Sequence, residues 1–150
     1  TVIKGNISEC KAFYGMTSHA HGVDADIQDE EDIYESCKWL KEMALHLGCV
    51  VVCSGKIDVI TDGKEVNLIS NGCDMLSRIT GTGCMLNVAI ATFLASYSPL
   101  LACIKATCYY EVAAEKTECS GPGTFHMHFM DEIYKLSSFD ESLFKIEVLG

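Results

Sequence analysis

The chain has 150 residues, 49% of them hydrophobic and 21% charged, which is enough apolar material for one core and the wrong balance for a disordered segment. Eleven Lys and Arg against 21 Asp and Glu leave a net charge of -10, which excludes the basic footprint of a nucleic-acid binder and disfavours an anionic membrane surface. A nucleotide bound in such a field needs a local site of backbone amides, a few cations or a metal ion.

In chain order, residues 1–5 read as the end of a strand, and Ser8, Glu9 and Phe13 predict a short helix that stops at Gly15. A strand at the first residue implies neighbours outside this chain. Residues 16–26 are small, polar and glycine-containing, as a loop is. Asp29, Glu30, Glu31 and Asp32 open a second helix, in which Ile33, Cys37, Leu40, Ala44 and Leu47 fall on one stripe and Gly48 ends the run. Acids at the start and Lys38, Lys41 and His46 later complement the helix dipole, so the acid cluster reads as a solvated helix start before it reads as a metal site.

Residues 49–53 form a continuous β-branched and apolar run, the pattern of a strand buried on both faces in a parallel sheet. Residues 58–61 and 65–69 flank Asp62-Gly63-Lys64, and Asp-Gly between two strand-like runs predicts a hairpin. Residues 85–96 predict a helix that is apolar on nearly every side and therefore buried. Ser98 and Pro99 start the next helix, with Leu101, Ile104, Cys108 and Val112 turned inward. Gly121-Pro122-Gly123 breaks the chain, and Thr124 caps a last helix that reaches about Leu136. The predicted class is α/β: a mostly parallel sheet carrying a β-hairpin, with helices on both faces, in a single domain.

No internal repeat or low-complexity segment is present. The longest apolar stretch, residues 84–94, contains Asn87 and is too short to span a bilayer. No basic-then-apolar leader precedes it, so a cytoplasmic protein is expected, and the absence of an initial methionine suggests an excised piece. The nine cysteines have no framework spacing and no CxxC pair, and they read as reduced. Cys49 with Cys53, or His126 with His128, lack the second pair that structural zinc needs. His19, His21, His46, His126 and His128 read as surface or loop histidines.

The stretch richest in chemistry is Gly81-Thr82-Gly83-Cys84. Two glycines let the backbone approach an anion, and the helix that follows aims unpaired amides toward it. The same turn also serves as a plain helix entry. It is not a P-loop, since no Gly-Lys-Ser/Thr follows, and it lacks the third glycine of a dinucleotide fingerprint. Cys84 falls in the first helical turn, where the dipole favours a thiolate that could accept a proton. A small buried cysteine is the competing reading. Seven of its companions read as core filler, and Cys10 is left unassigned.

Several motifs in order resemble one family. Lys4-Gly5-Asn6-Ile7-Ser8-Glu9, the strand around Ser54-Gly55 with Asp58 and Thr61-Asp62-Gly63, and Asn71-Gly72-Cys73-Asp74-Met75-Leu76 precede Thr80-Gly81-Thr82-Gly83-Cys84. Glu115, Gly121-Pro122-Gly123-Thr124-Phe125, Phe129-Met130-Asp131 and Tyr134 follow. Over about residues 1–136 this pattern is similar to that of hydroxyethylthiazole kinases.

The resemblance implies the C-terminal half of a ribokinase-like three-layer sandwich, a homotrimer that phosphorylates 4-methyl-5-(2-hydroxyethyl)thiazole with ATP and Mg2+ in thiamine biosynthesis. Cys84 matches the residue that assists deprotonation of the substrate hydroxyl, with Gly81, Thr82 and Gly83 as an anion hole and Gly81 also at a substrate contact. Lys4 and Ser54 match nucleotide-contacting positions. Asn6 and Glu9 match polar residues near the metal and phosphates, and both also suit simple helix capping. Lys4 stands where the family has arginine, Ser54 where it has threonine and Lys56 where it has glutamate. Lysine keeps the charge at position 4 but loses the planar fork that binds phosphate bidentately.

Family members are nearly twice as long, so a complementary N-terminal half that supplies much of the alcohol pocket is expected. A non-catalytic nucleotide-binding or assembly module of the same fold, and another ribokinase-like kinase acting on a sugar or pyridoxal, are the alternative functions.

Overall fold

The computed structural model describes residues 1–15, 30–135 and 140–150, with the side chains of residues 30–32 left out. The expected loop at residues 16–26, the acid cluster at the start of the second helix, His19, His21 and Leu136 lie outside what is described. The chain divides into two compact units, one of Thr1–Leu68 with Ile146–Gly150, the other of Ile69–Lys145.

The first unit is built on a five-stranded sheet in the order β1-β2-β3-β4-β5, with β1 at Val2–Asn6, β2 at Val50–Ser54, β3 at Asp58–Thr61, β4 at Val66–Ile69 and β5 at Ile146–Leu149. Helix α1 (Ile7–Phe13) follows β1, and α2 (Glu30–Leu47) precedes β2. β1 and β2 pair in parallel, Val2 opposite Val50 through Asn6 opposite Ser54, as strands joined through intervening helices do. β2 and β3 are antiparallel, with Val52 opposite Ile60. The α/β class holds, and the sheet is mixed.

The inner strands β2, β3 and β4 are buried, with mostly apolar residues on both faces. Val51, Cys53, Val59, Val66 and Leu68 share one cluster with Ile33, Cys37, Leu40, Met43 and Ala44 of α2 and with Ile7 and Cys10 of α1. The alternating residues Val50, Val52 and Ile60 are buried as well. Leu47, placed on the inward stripe by periodicity, is 40% exposed, because it is the last helical residue before the chain turns away at Gly48 (φ +61).

The four-residue link between β3 and β4 is held by side chains. Gly63 N–H donates to Thr61 Oγ1, which itself donates to the Glu65 carbonyl, while Asp62 Oδ1 accepts from the Lys64 and Glu65 amides. Gly63 sits at φ +88, and a Cβ there would lie 2.7 Å from the Leu45 amide nitrogen of α2. Glycine is required at this position on both counts.

The second unit contains a 3-10 turn at Asp74–Leu76, helices α3 (Thr82–Phe93), α4 (Pro99–Lys116) and α5 (Pro122–Tyr134), and a 3-10 turn at Glu141–Leu143. α4 is its centre, packing on α3 and on α5. Two expectations are corrected here. α3 buries only Leu86 and Ile90 among its residues, and Val88 is 68% exposed, because an all-round apolar composition does not say which sides find a neighbour. On α4 the expected inward residues Cys108 and Val112 are buried, but Leu101 is exposed and Ile104 half-buried, and Ala102, Cys103, Ala106 and Thr107 take the inward positions of the first turns, where small residues let the helices approach closely.

α5 begins two residues before Thr124, whose Oγ1 accepts from the Ser120 and Gly121 amides from the third helical position. Phe125 and Phe129 of α5 stack at 5.3 Å, and Phe129 meets Tyr110 of α4 edge to face.

Candidate active site

Helix α3 opens on Gly81, which adopts φ 100, ψ -9, a conformation that glycine enters without strain. Its carbonyl accepts the first helical bond, from Met85 N–H at 2.9 Å. The amides of Thr82, Gly83 and Cys84 therefore precede the first intrahelical donor, and no side chain caps them. The Thr82 hydroxyl points backward, donating to the carbonyls of Leu76 and Ile79, so it braces the approach to the helix. Tyr110 of α4 donates to the Thr82 carbonyl at 2.8 Å; burial pushes its phenol above the usual value, with Glu111 adding to the shift.

Cys84 is the third residue of α3 and is exposed. The buried-core reading of this cysteine is thereby overturned, since its position at the helix mouth leaves the thiol open to solvent. Among the residues read as core filler, Cys37, Cys49, Cys53, Cys103 and Cys108 are buried, whereas Cys73 is half-buried and Cys119 exposed. Cys119 lies in the open link ahead of α5, where no core is available to fill.

Beside this turn lies a groove of about 490 Å³ whose walls include Arg78, Thr80, Pro122, Gly123 and His126. Arg78 is the only arginine of the sequence, and the motif reading passed over it. The available signal was its place three residues before Gly81.

In the first unit, β1 and β2 bring Lys4 and Ser54 together. Lys4 Nζ donates to Ser54 Oγ at 3.3 Å, and Ser54 Oγ donates to the Gly5 carbonyl at 3.4 Å. Asn6 and Glu9 form a reciprocal cap at the start of α1: Glu9 N–H donates to Asn6 Oδ1 at 2.9 Å, and Asn6 N–H donates to Glu9 Oε2 at 2.8 Å. Gly5 is what admits this arrangement, since a Cβ there would meet Glu9 Cβ at 2.9 Å.

Among the described residues no group of three or more His, Cys, Asp and Glu could hold a metal ion by itself. Glu9 has a second carboxylate oxygen beyond the capping one, and Mg2+ in nucleotide sites is held by one or two carboxylates together with phosphates. The donor set fits a magnesium ion carried in by a nucleotide and not a dedicated protein cage. No helix among the described residues is long and apolar enough to cross a membrane.

Residues 1–138 match the model of the hydroxyethylthiazole kinase family. The chain is 39% identical over 140 residues to hydroxyethylthiazole kinase 2 of Clostridium botulinum (strain 657 / Type Ba4), covering 91% of this chain and 53% of that protein. It is 38% identical over 152 residues to hydroxyethylthiazole kinase of Pyrococcus furiosus, covering 99% and 56%. The solved structure of the hydroxyethylthiazole kinase protein from Pyrococcus horikoshii OT3 superposes with a TM-score of 0.82 at 29% identity, over 99% of this chain and 55% of that one. The chain thus spans about half the length of the relatives it matches. With a family match that takes in residues 1–138, the chain belongs to the hydroxyethylthiazole kinase family.

Proposed function

We propose that the protein carrying this chain transfers the γ-phosphoryl group of ATP to the hydroxyl of 4-methyl-5-(2-hydroxyethyl)thiazole, in thiamine biosynthesis or salvage. In this reading the 150 residues are the C-terminal, nucleotide-side portion of a cytoplasmic kinase. The observation that carries it is the exposed Cys84 thiol in the first turn of α3, beside amides that no side chain caps.

The alcohol oxygen attacks the γ-phosphorus, the bond to the β-phosphate oxygen breaks, and ADP leaves. The hydroxyl proton passes to the Cys84 sulfur, as general-base assistance requires. Charge on the transferring group spreads over its equatorial oxygens, and the Thr82, Gly83 and Cys84 amides, fixed by the Gly81 turn, are preorganised to receive it. Lys4, steadied by Ser54, supplies a cation for the nucleotide phosphates, and Glu9 with Asn6 is suited to the Mg2+ that neutralises them. Within the second unit, Arg78 gives the groove beside the turn a cation of its own.

A trimer, implied by the family resemblance, would find apolar surface on α3 and the following turn, where Val88 and Leu94 are exposed.

The test is an intact-mass measurement of the protein together with coupled ADP release on the thiazole alcohol. Turnover dependent on that alcohol supports the reading. Replacing Cys84 with Ala is expected to lower kcat by about 10²-fold or more while leaving nucleotide affinity within about twofold. An unchanged rate removes the chemical role of the thiol, and ATP binding without turnover by the intact protein would favour a nucleotide-binding module.

A further inference from the structure

Two cysteines outside the proposed chemistry lie against one another in the first unit. Cys10 of α1 and Cys53 of β2 are 1% and 2% exposed and belong to the same core cluster. Their proximity follows from the register of the sheet. Gly5 of β1 is the Cα partner of Cys53 in the parallel pair, and partner residues of neighbouring strands, about 4.8 Å apart, direct their Cβ positions to the same face. Cys10 Sγ sits on that face, 3.5 Å from the point a Cβ on Gly5 would occupy. The Cys10 sulfur thus lies within van der Waals range of that point, and the Cys53 side chain stands in the adjacent column.

Cys10 rides on α1, a helix of seven residues, and Cys53 on the inner strand β2, so a local opening that starts at α1 presents Cys10 first and makes it the attacking thiol, with Cys53 the resolving one.

We propose that Cys10 and Cys53 form a redox-active dithiol that closes to an intrachain disulfide when a small-molecule disulfide is the oxidant, stapling α1 to β2. The Cys10 thiolate attacks one sulfur of the oxidant, forming a mixed disulfide and expelling one small thiolate. Cys53, giving up its proton, then attacks Cys10 Sγ and expels the second. The protein loses two hydrogens and two electrons, and the oxidant leaves as two thiols. Because both sulfurs are buried, the first attack requires α1, a helix of only seven residues, to open transiently, so closure is slower than modification of exposed thiols. The bond would join the residue after Glu9 to the residue before Ser54, so it would lock both flanks of the Lys4–Ser54 and Asn6–Glu9 arrangement. It forms or fails to form irrespective of the kinase reading.

The experiment treats the folded, intact protein with oxidised glutathione, quenches by acid and maps its peptides by mass. The expected result is a Cys10–Cys53 linked peptide pair 2 Da lighter than the two reduced peptides, appearing after glutathione has added to the exposed Cys84 and Cys119. A midpoint of thermal unfolding raised by at least about 5 °C, and returned by a thiol reductant, is also expected. C53S should lose the link and leave glutathione on Cys10. If the map of the unsubstituted protein shows Cys10 and Cys53 unlinked after Cys84 and Cys119 have fully reacted, the proposal is overturned, whether or not the variant folds. A linked pair with no rise in the unfolding midpoint would overturn the stapling.

Discussion

Asn71 and Lys145 are joined across 74 positions of sequence, the backbone N–H of Lys145 donating to Asn71 Oδ1 at 2.7 Å. The amide of Asn71 completes a clasp, donating to the Leu143 carbonyl and to Glu115 of α4, while Glu115 Oε1 also accepts from Gly72 N–H and Lys145 Nζ. The segment that follows the last helix is also tied to α4 by the Lys105–Glu141 ion pair.

This clasp is expected to have one strong and one weak member. Asn71 is buried, so Asn71→Leu strands a carbonyl and an amide and should cost about 2–3 kcal/mol in urea unfolding. The Lys145 side chain is 56% exposed, so Lys145→Met should cost less than about 1 kcal/mol. Equal losses would show that the clasp is electrostatic and not a matter of buried hydrogen bonds.

Two glycines separate backbone strain from collision. At Gly81 (φ +100) a Cβ would meet nothing within 4 Å, whereas at Gly63 (φ +88) it would strike the backbone of Leu45. Gly81→Ala should cost about 1–2 kcal/mol, from conformation alone. Gly63→Ala should cost about 3 kcal/mol or more, because the hairpin must also withdraw from α2. Thermal unfolding of the two variants decides the order.

Tyr110 gives the protein an alkaline sensitivity. Burial raises its phenol above the usual value, so the stability it contributes is fully present below the unfolded value of about 10 and is lost as pH rises through the folded one. Tyr110→Phe should lose about 1 kcal/mol at neutral pH with the bond to the Thr82 carbonyl, and should show a shallower decline than the parent above about pH 10. Parallel slopes in a denaturation series from pH 8 to 11 would refute this origin.

Lys4 offers a gain-of-binding test. Its ammonium reaches Ser54 as a single point contact, and an arginine there would present a planar fork to phosphate oxygens. Lys4→Arg should lower the KM for ATP about threefold, and Lys4→Ala should raise it about tenfold or more, with kcat less affected than KM in both. An arginine variant that binds ATP no better would place the cation away from the phosphates.

Features encoded locally were readable in the sequence. The β-branched run of β2 announces burial on both faces, Asp62-Gly63 announces the hairpin, and the Asn6 to Glu9 spacing carries the reciprocal cap. Features set by distant packing were not. β5 is four residues, Ile146–Leu149, whose only claim to be a strand is a neighbour far away in sequence. The inward face of α4 is legible at Cys108 and Val112 but not in its first turns, where Leu101 and Ile104 look like core while close approach between helices selects Ala102 and Ala106. Arg78 escaped notice because it lies just upstream of the glycine motif that drew attention.

The uncapped start of α3 ties conformational stability to occupancy. Three amides at the head of a central helix gain a partner only from solvent or from an arriving anion, so saturating ligand acts as a missing cap. A ligand at a hundred times its Kd would stabilise the native state by about 2.7 kcal/mol. The melting curve of the protein thus doubles as a binding isotherm, and compounds that seat an anion at Gly81 can be ranked by heat alone, with no turnover to follow.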